Sequence, residues 1–75
     1  MKIEILGTGC PKCKKLEANA KQAVEELGKK ATFSKVTDIN DIISYNVMAT
    51  PAIVIDGKVK ASGKLVDVEE IKEWL

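Results

Sequence analysis

Alternation opens the chain. Over Lys2 to Leu6, Ile3 and Ile5 fall on one side and Glu4 on the other, which predicts a β-strand. The period then lengthens. Leu16, Ala20, Ala23, Val24 and Leu27 recur at i, i+4, i+7, i+8 and i+11, the apolar stripe of a helix whose other faces carry Lys14, Lys15, Lys21, Glu25 and Glu26. Pro11 suits the first helical position because an N–H there has no intrahelical partner, and Gly28 supplies the stop. Ala31 to Val36 contains Thr32, Phe33 and Val36 and predicts a second strand, with Ser34 and Lys35 marking it as an edge. Asp38 then reads as an N-cap, and Ile39, Ile42 and Ile43 at helical spacing predict a short helix ending near Tyr45-Asn46, its isoleucines in the core.

Met48-Ala49-Thr50-Pro51 is a turn-like approach to the apolar strand Ala52 to Ile55. Asp56-Gly57 joins that strand to Val59 to Ala61 as a hairpin, and Gly63 ends the pattern. Asp67 with Glu70 three residues on resembles a capping box, and Val68, Ile71 and Leu75 mark one face of a last helix with Trp74 beside it. The order is βαβαββα. Its first β-α-β unit requires parallel strands and a right-handed crossover, and the hairpin adds an antiparallel pair. The fold class is therefore α/β, a four-stranded mixed sheet with helices on both faces. Seventy-five residues are expected to form one domain over 1–75, without linker or repeat.

Composition narrows the function. With 45% apolar and 31% charged residues, the profile is that of a globular protein. Twelve basic residues against 11 acidic ones leave a net charge of +1, which points to neither nucleic acid nor an anionic surface as partner. Phe33, Tyr45 and Trp74 are widely separated, so no stacking platform is visible, and they are assigned to core or rim packing. The longest apolar run falls far short of a membrane span. The chain opens on a strand with no basic-then-apolar leader, and a cytoplasmic monomer is expected.

Cys10-Pro11-Lys12-Cys13 carries the chemistry. At that spacing two sulfurs can close a disulfide across the first turn of a helix. Unpaired N–H groups and the macrodipole at a helix N-terminus favour an anion, which biases Cys10 toward thiolate, and Lys12 adds a nearby cation. Such a bridge closes a loop of few residues and constrains the unfolded chain little, so a purely structural staple is a poor reading. Two competing readings stay open. Soft thiolates at this spacing also hold Cu(I), although the chain has no His to complete a larger ligand set. A non-catalytic interaction module is the other.

The strand order joined to Cys-x-x-Cys at the first strand-to-helix junction resembles the thioredoxin fold in its minimal, glutaredoxin-sized form. The run Tyr45-Asn46-Val47-Met48-Ala49-Thr50-Pro51-Ala52-Ile53-Val54-Ile55-Asp56-Gly57 is similar to the family segment that carries a cis-proline, a strand and a Gly turn. In size and wording the chain looks like the small redox-active disulfide proteins of archaea and bacteria. It departs from thioredoxins in having Gly9 where a Trp is usual and Pro11-Lys12 where Gly-Pro is usual. Ser62-Gly63 offers one glycine where glutathione-binding glutaredoxins carry two.

The resemblance implies a protein disulfide reductase without a bound cofactor. Cys10 attacks a client disulfide and Cys13 resolves the mixed disulfide, with Thr50, Pro51, Pro11 and Lys12 forming the surface that receives the client. The partners implied are a disulfide-containing protein and an electron donor, either a thioredoxin-reductase-like flavoprotein or a small thiol. Glu4 lies six residues before Cys10, where thioredoxins carry a buried carboxylate that relays a proton; strand alternation alone makes it an exposed residue on a polar face.

Overall fold

The computed structural model describes residues 1–47 and 49–75, so Met48 of the predicted turn lies outside the described residues. Lys2–Leu6 forms β1, Pro11–Glu26 α1, Thr32–Val36 β2, Ile39–Ser44 α2, Ala52–Ile55 β3, Lys58–Ser62 β4 and Val68–Trp74 α3. The sheet order is β2-β1-β3-β4. β1 pairs in parallel with β2 and antiparallel with β3, which pairs antiparallel with β4. The α/β arrangement, the parallel first crossover and the edge position of β2 match the sequence expectation.

Local chemistry explains the element ends. Gly28 takes φ +65, and the N–H groups of Gly28 and Lys29 donate to the carbonyls of Glu25 and Val24, closing α1 in a paired C-terminal cap. Asp38 caps α2 by accepting from the Asn40 N–H, and Asp67 caps α3 by accepting from the Glu70 N–H. The Glu70 carboxylate turns to Lys64 at 3.5 Å instead of completing a reciprocal box. Asp56 and Gly57 both have positive φ, as a two-residue hairpin turn of this hand requires.

Strand alternation divides the core between the two sheet faces. Ile3, Ile5, Ile53 and Ile55 pack with Leu16, Ala20, Ala23 and Val24 of α1 and Ile71 of α3. Leu6, Ala52 and Val54 face the other way, onto Ile42 and Val47. Buried Asn19 donates from Nδ2 to the Val66 carbonyl at 2.9 Å and fastens α1 to the segment before α3.

Three expectations fail here. Ile39 and Ile43 are 58% and 60% exposed, because α2 has only six residues and one of its faces, that of Ile42, meets the sheet. Leu27 is exposed, since it caps α1 instead of continuing its stripe. Glu4 is buried: β1 is an inner strand covered on both faces, so alternation gives it no exposed side.

Burial on this scale predicts a sharp contrast. Ile53→Ala should destabilise the protein by about 2–5 kcal/mol, a large share of a total near 4–11 kcal/mol for a chain this size. Ile43→Ala should stay within about 0.5 kcal/mol. Urea unfolding of the two variants checks both values.

Candidate active site

At the end of β1, the Gly7 N–H donates to the Val36 carbonyl at 2.9 Å and carries the β1–β2 pairing one residue further. The chain then turns through Thr8 and Gly9, the latter at φ +91, and delivers Cys10 in extended conformation as the N-cap of α1. Pro11 follows as the first helical residue. The Cys10 carbonyl accepts the first helical bond from the Lys14 N–H at 3.1 Å, and Cys10 Sγ accepts from the Cys13 N–H at 3.2 Å. The cap is thus a sulfur where an oxygen is usual.

Cys10 and Cys13 are joined as a disulfide with Cα atoms 5.1 Å apart. Cys10 is half-buried, whereas Cys13 is 5% exposed. Gly7 makes room for the inner sulfur. A side-chain carbon placed on Gly7 would overlap Cys13 Sγ and approach Cys13 Cβ to 3.1 Å and Thr50 Cβ to 4.0 Å. Thr50 and Cys13 therefore flank the same bare backbone.

The Thr50–Pro51 peptide is cis, as the resemblance implies. Pro51 is fully buried and its carbonyl accepts from the Gly63 N–H at 3.0 Å, while Thr50 is exposed. Gly63 has φ +73, and a Cβ there would meet Ala49 Cβ at 3.0 Å, so this glycine lets the approach to Pro51 lie against the end of β4. Pro11 and Lys12 are exposed at the helix mouth. From Thr50 an apolar groove of about 420 Å³ runs along Ala49, Val47 and the three isoleucines of α2.

Glu4 sits on the sheet face opposite α1, and its Oε2 accepts from the Tyr45 hydroxyl at the C-terminal end of α2. That hydrogen bond, reinforced by lost hydration, holds the Tyr45 phenol above its ordinary pKa. The part of Tyr45 goes beyond the packing role read from sequence. Its signal was a Glu on an inner strand, which demands a buried donor.

A smaller cavity, about 40 Å³, lies on the α1 side and is lined by Ile5, Gly7, Gly9, Cys13, Lys14, Lys35 and Thr37. Among the described residues no group of three or more His, Cys, Asp or Glu side chains is placed to hold a metal ion, and no helix is long and apolar enough to cross a membrane.

Comparison with known proteins agrees with this geometry. Residues 1–75 match the family described as thioredoxin domain. The chain is 44% identical over 75 residues to a thioredoxin of Methanothermobacter thermautotrophicus, covering all of this chain and 97% of the relative. It is 51% identical over 73 residues to a thioredoxin of Methanocaldococcus jannaschii, covering 97% of this chain and 84% of the relative. With Cys10 and Cys13 bonded across the first turn of α1 and relatives matched along their length, the chain belongs to the thioredoxin family and is a thiol–disulfide oxidoreductase.

Proposed function

We propose that this protein, acting as one thioredoxin-like unit over residues 1–75, reduces disulfides of client proteins with Cys10 as the attacking thiol and Cys13 as the resolving one. The observation that carries the assignment is the difference in exposure: Cys10 is half-buried at the cap, Cys13 is 5% exposed behind it. Helix N–H groups stabilise negative charge on Cys10 Sγ once the pair is reduced. The Cys10 thiolate attacks one client sulfur; the Cys10–client bond forms, the client disulfide breaks, and its second sulfur leaves as a thiolate. Cys13 then loses its proton to solvent and attacks Cys10 Sγ, closing Cys10–Cys13 and releasing the first client sulfur. The client gains two electrons and two protons, and the pair loses them.

Thr50, Pro51, Pro11 and Lys12 form the receiving surface in this proposal. Thr50 is exposed beside Gly7, which supports backbone pairing with an extended client segment in strand fashion. A flavoprotein reductase or a small thiol restores the dithiol, and the reducing direction suits a cytoplasmic monomer. Glu4 enters as a structural acceptor, because its carboxylate is engaged by Tyr45 on the face away from α1.

Three outcomes test the assignment. Cys13→Ser should accumulate covalent mixed disulfides with client proteins on non-reducing gels and Cys10→Ser should not; the reverse pattern overturns the roles. Gly7→Ala should displace Cys13 Sγ, slow closure of the disulfide and destabilise the protein by about 1–3 kcal/mol through overpacking, read by oxidation kinetics and urea unfolding. Glu4→Gln should lower stability while leaving the pH profile of Cys13 reactivity in place; a shifted profile would give Glu4 the proton-relay role.

A further inference from the structure

β1 serves two sides of the site. Its end leads through Gly7 to Cys10, and its register sets Leu6 opposite Ala52, the residue that follows Pro51. Two positions before Leu6, Glu4 pairs with Val54 and turns its carboxylate to the α2 side, where the Tyr45 hydroxyl donates to it. The strand that places the sulfurs therefore also carries the acceptor for Tyr45.

Tyr45 stands where α2 stops. Its N–H donates to the Ile42 carbonyl at 3.1 Å, the Asn46 N–H donates to the Ile43 carbonyl at 2.9 Å, and Asn46 has φ +62. That left-handed residue turns the chain out of the helix toward Thr50 and Pro51. Buried Val47 joins the small core of Leu6, Ala52 and Val54, which Tyr45 borders. The far end of the segment is held at the sheet, where the Pro51 carbonyl accepts from the Gly63 N–H at 3.0 Å. Exposed Thr50 lies between these anchors. The near anchor is the weaker one, because α2 has six residues and buries only Ile42. Among the described residues, Tyr45 to Glu4 is the one side-chain hydrogen bond that ties α2 and its caps to the sheet.

We infer that Tyr45, through its hydrogen bond to Glu4, is a positioning residue for client binding, setting where Thr50 stands against Cys10. The inference rests on the strand-fashion receiving surface proposed above. A Thr50 backbone held in pairing geometry before the client arrives lowers the ordering cost of binding. Without the Tyr45 hydroxyl, the Glu4 carboxylate is left buried and unpaired, and the root of the segment opens to hydrate it. Tyr45 acts through the segment and not on the sulfurs. Attack by Cys10 on a disulfide that makes no backbone pairing is therefore independent of it, whereas attack on an extended peptide is not.

Three probes that share one leaving group test this against the reduced protein. The first is dithionitrobenzoate. The second is an extended peptide whose single cysteine is joined to nitrothiobenzoate. The third is the same peptide with N-methylated amides beside the cysteine, which block strand pairing. In each case a bond forms from Cys10 to one sulfur, the probe disulfide breaks, and nitrothiobenzoate leaves as a coloured thiolate. In Tyr45→Phe the half-saturating peptide concentration should rise about three- to tenfold, the size of one hydrogen bond's net contribution, with the limiting rate held. Preference for the peptide over its N-methylated form should shrink by the same factor, and the rate with dithionitrobenzoate should match wild type. Glu4→Gln keeps an acceptor for the Tyr45 hydroxyl and should keep the wild-type peptide response. Should Tyr45→Phe alone fail to fold, the double variant Glu4→Met, Tyr45→Phe removes the buried charge with its donor and carries the same expectation. An unmoved peptide response overturns the inference, as does equal slowing with all three probes, which general loosening would give. A wild-type protein with no preference for the peptide over its N-methylated form overturns the strand-fashion surface itself.

Discussion

The end of β1 and the first turn of α1 meet across Gly7, and the missing side chain there decides where the inner sulfur sits. Neither partner of this contact is free to move away. β1 is bonded on both sides, to β2 and to β3, and its ladder to β2 runs on through the Gly7 N–H. α1 is held by Leu16, Ala20, Ala23 and Val24 against the sheet, and by Asn19 to the Val66 carbonyl. Lys72 of α3 reaches Glu26 at 2.5 Å, and Lys29 donates to the Leu75 carbonyl, which fasten the far end of α1 as well. The reacting pair thus stands on a rigid strand-to-helix junction, with Cys10 outside and Cys13 inside.

Opposite faces of β1 lead to different chemistry. On the α1 face, Ile5 and Gly7 open onto the cavity of Cys13, with Lys35 at its rim. On the other, Glu4 is covered by the apolar residues of α2 and satisfied by Tyr45. A carboxylate buried without a partner is strongly unfavourable, so the Tyr45 hydroxyl is what makes Glu4 tolerable at that position. The same hydrogen bond ties the C-terminal end of α2 to the sheet, and the chain between that end and β3 carries Thr50 and Pro51. Glu4 and Tyr45 therefore support the loop that carries the cis Thr50–Pro51 peptide.

Much of this was legible in the residues because local signals carry it. Pro11 as first helical residue, Gly28 as stop and the Asp56-Gly57 turn each follow from backbone chemistry within a few positions. What escaped depends on which surfaces meet. Ile39 and Ile43 have the spacing of a core stripe, yet a six-residue helix offers the sheet only Ile42. Glu4 obeys strand alternation, yet an inner strand with helices on both sides has no polar face. Asn19 lies within the polar part of the helical pattern, and its burial arises from a carbonyl 47 positions away. Lys35 reads as an edge-strand lysine until the parallel register sets it beside Ile5.

A protein that changes its own covalent structure in each cycle must keep its fold in both states. The Cys10–Cys13 bridge spans three positions. In the chain-entropy picture a loop that short contributes about 2 kcal/mol, against about 4.7 for a loop of a hundred residues. Helix N–H groups act in the other direction, favouring the reduced thiolate by about 0.3–1 kcal/mol. These opposed terms are small beside the burial of Ile3, Leu6, Leu16, Ile53 and Ile71. Placing the bridge within one helical turn, instead of between distant elements, separates the electron exchange from the forces that hold the sheet and helices together.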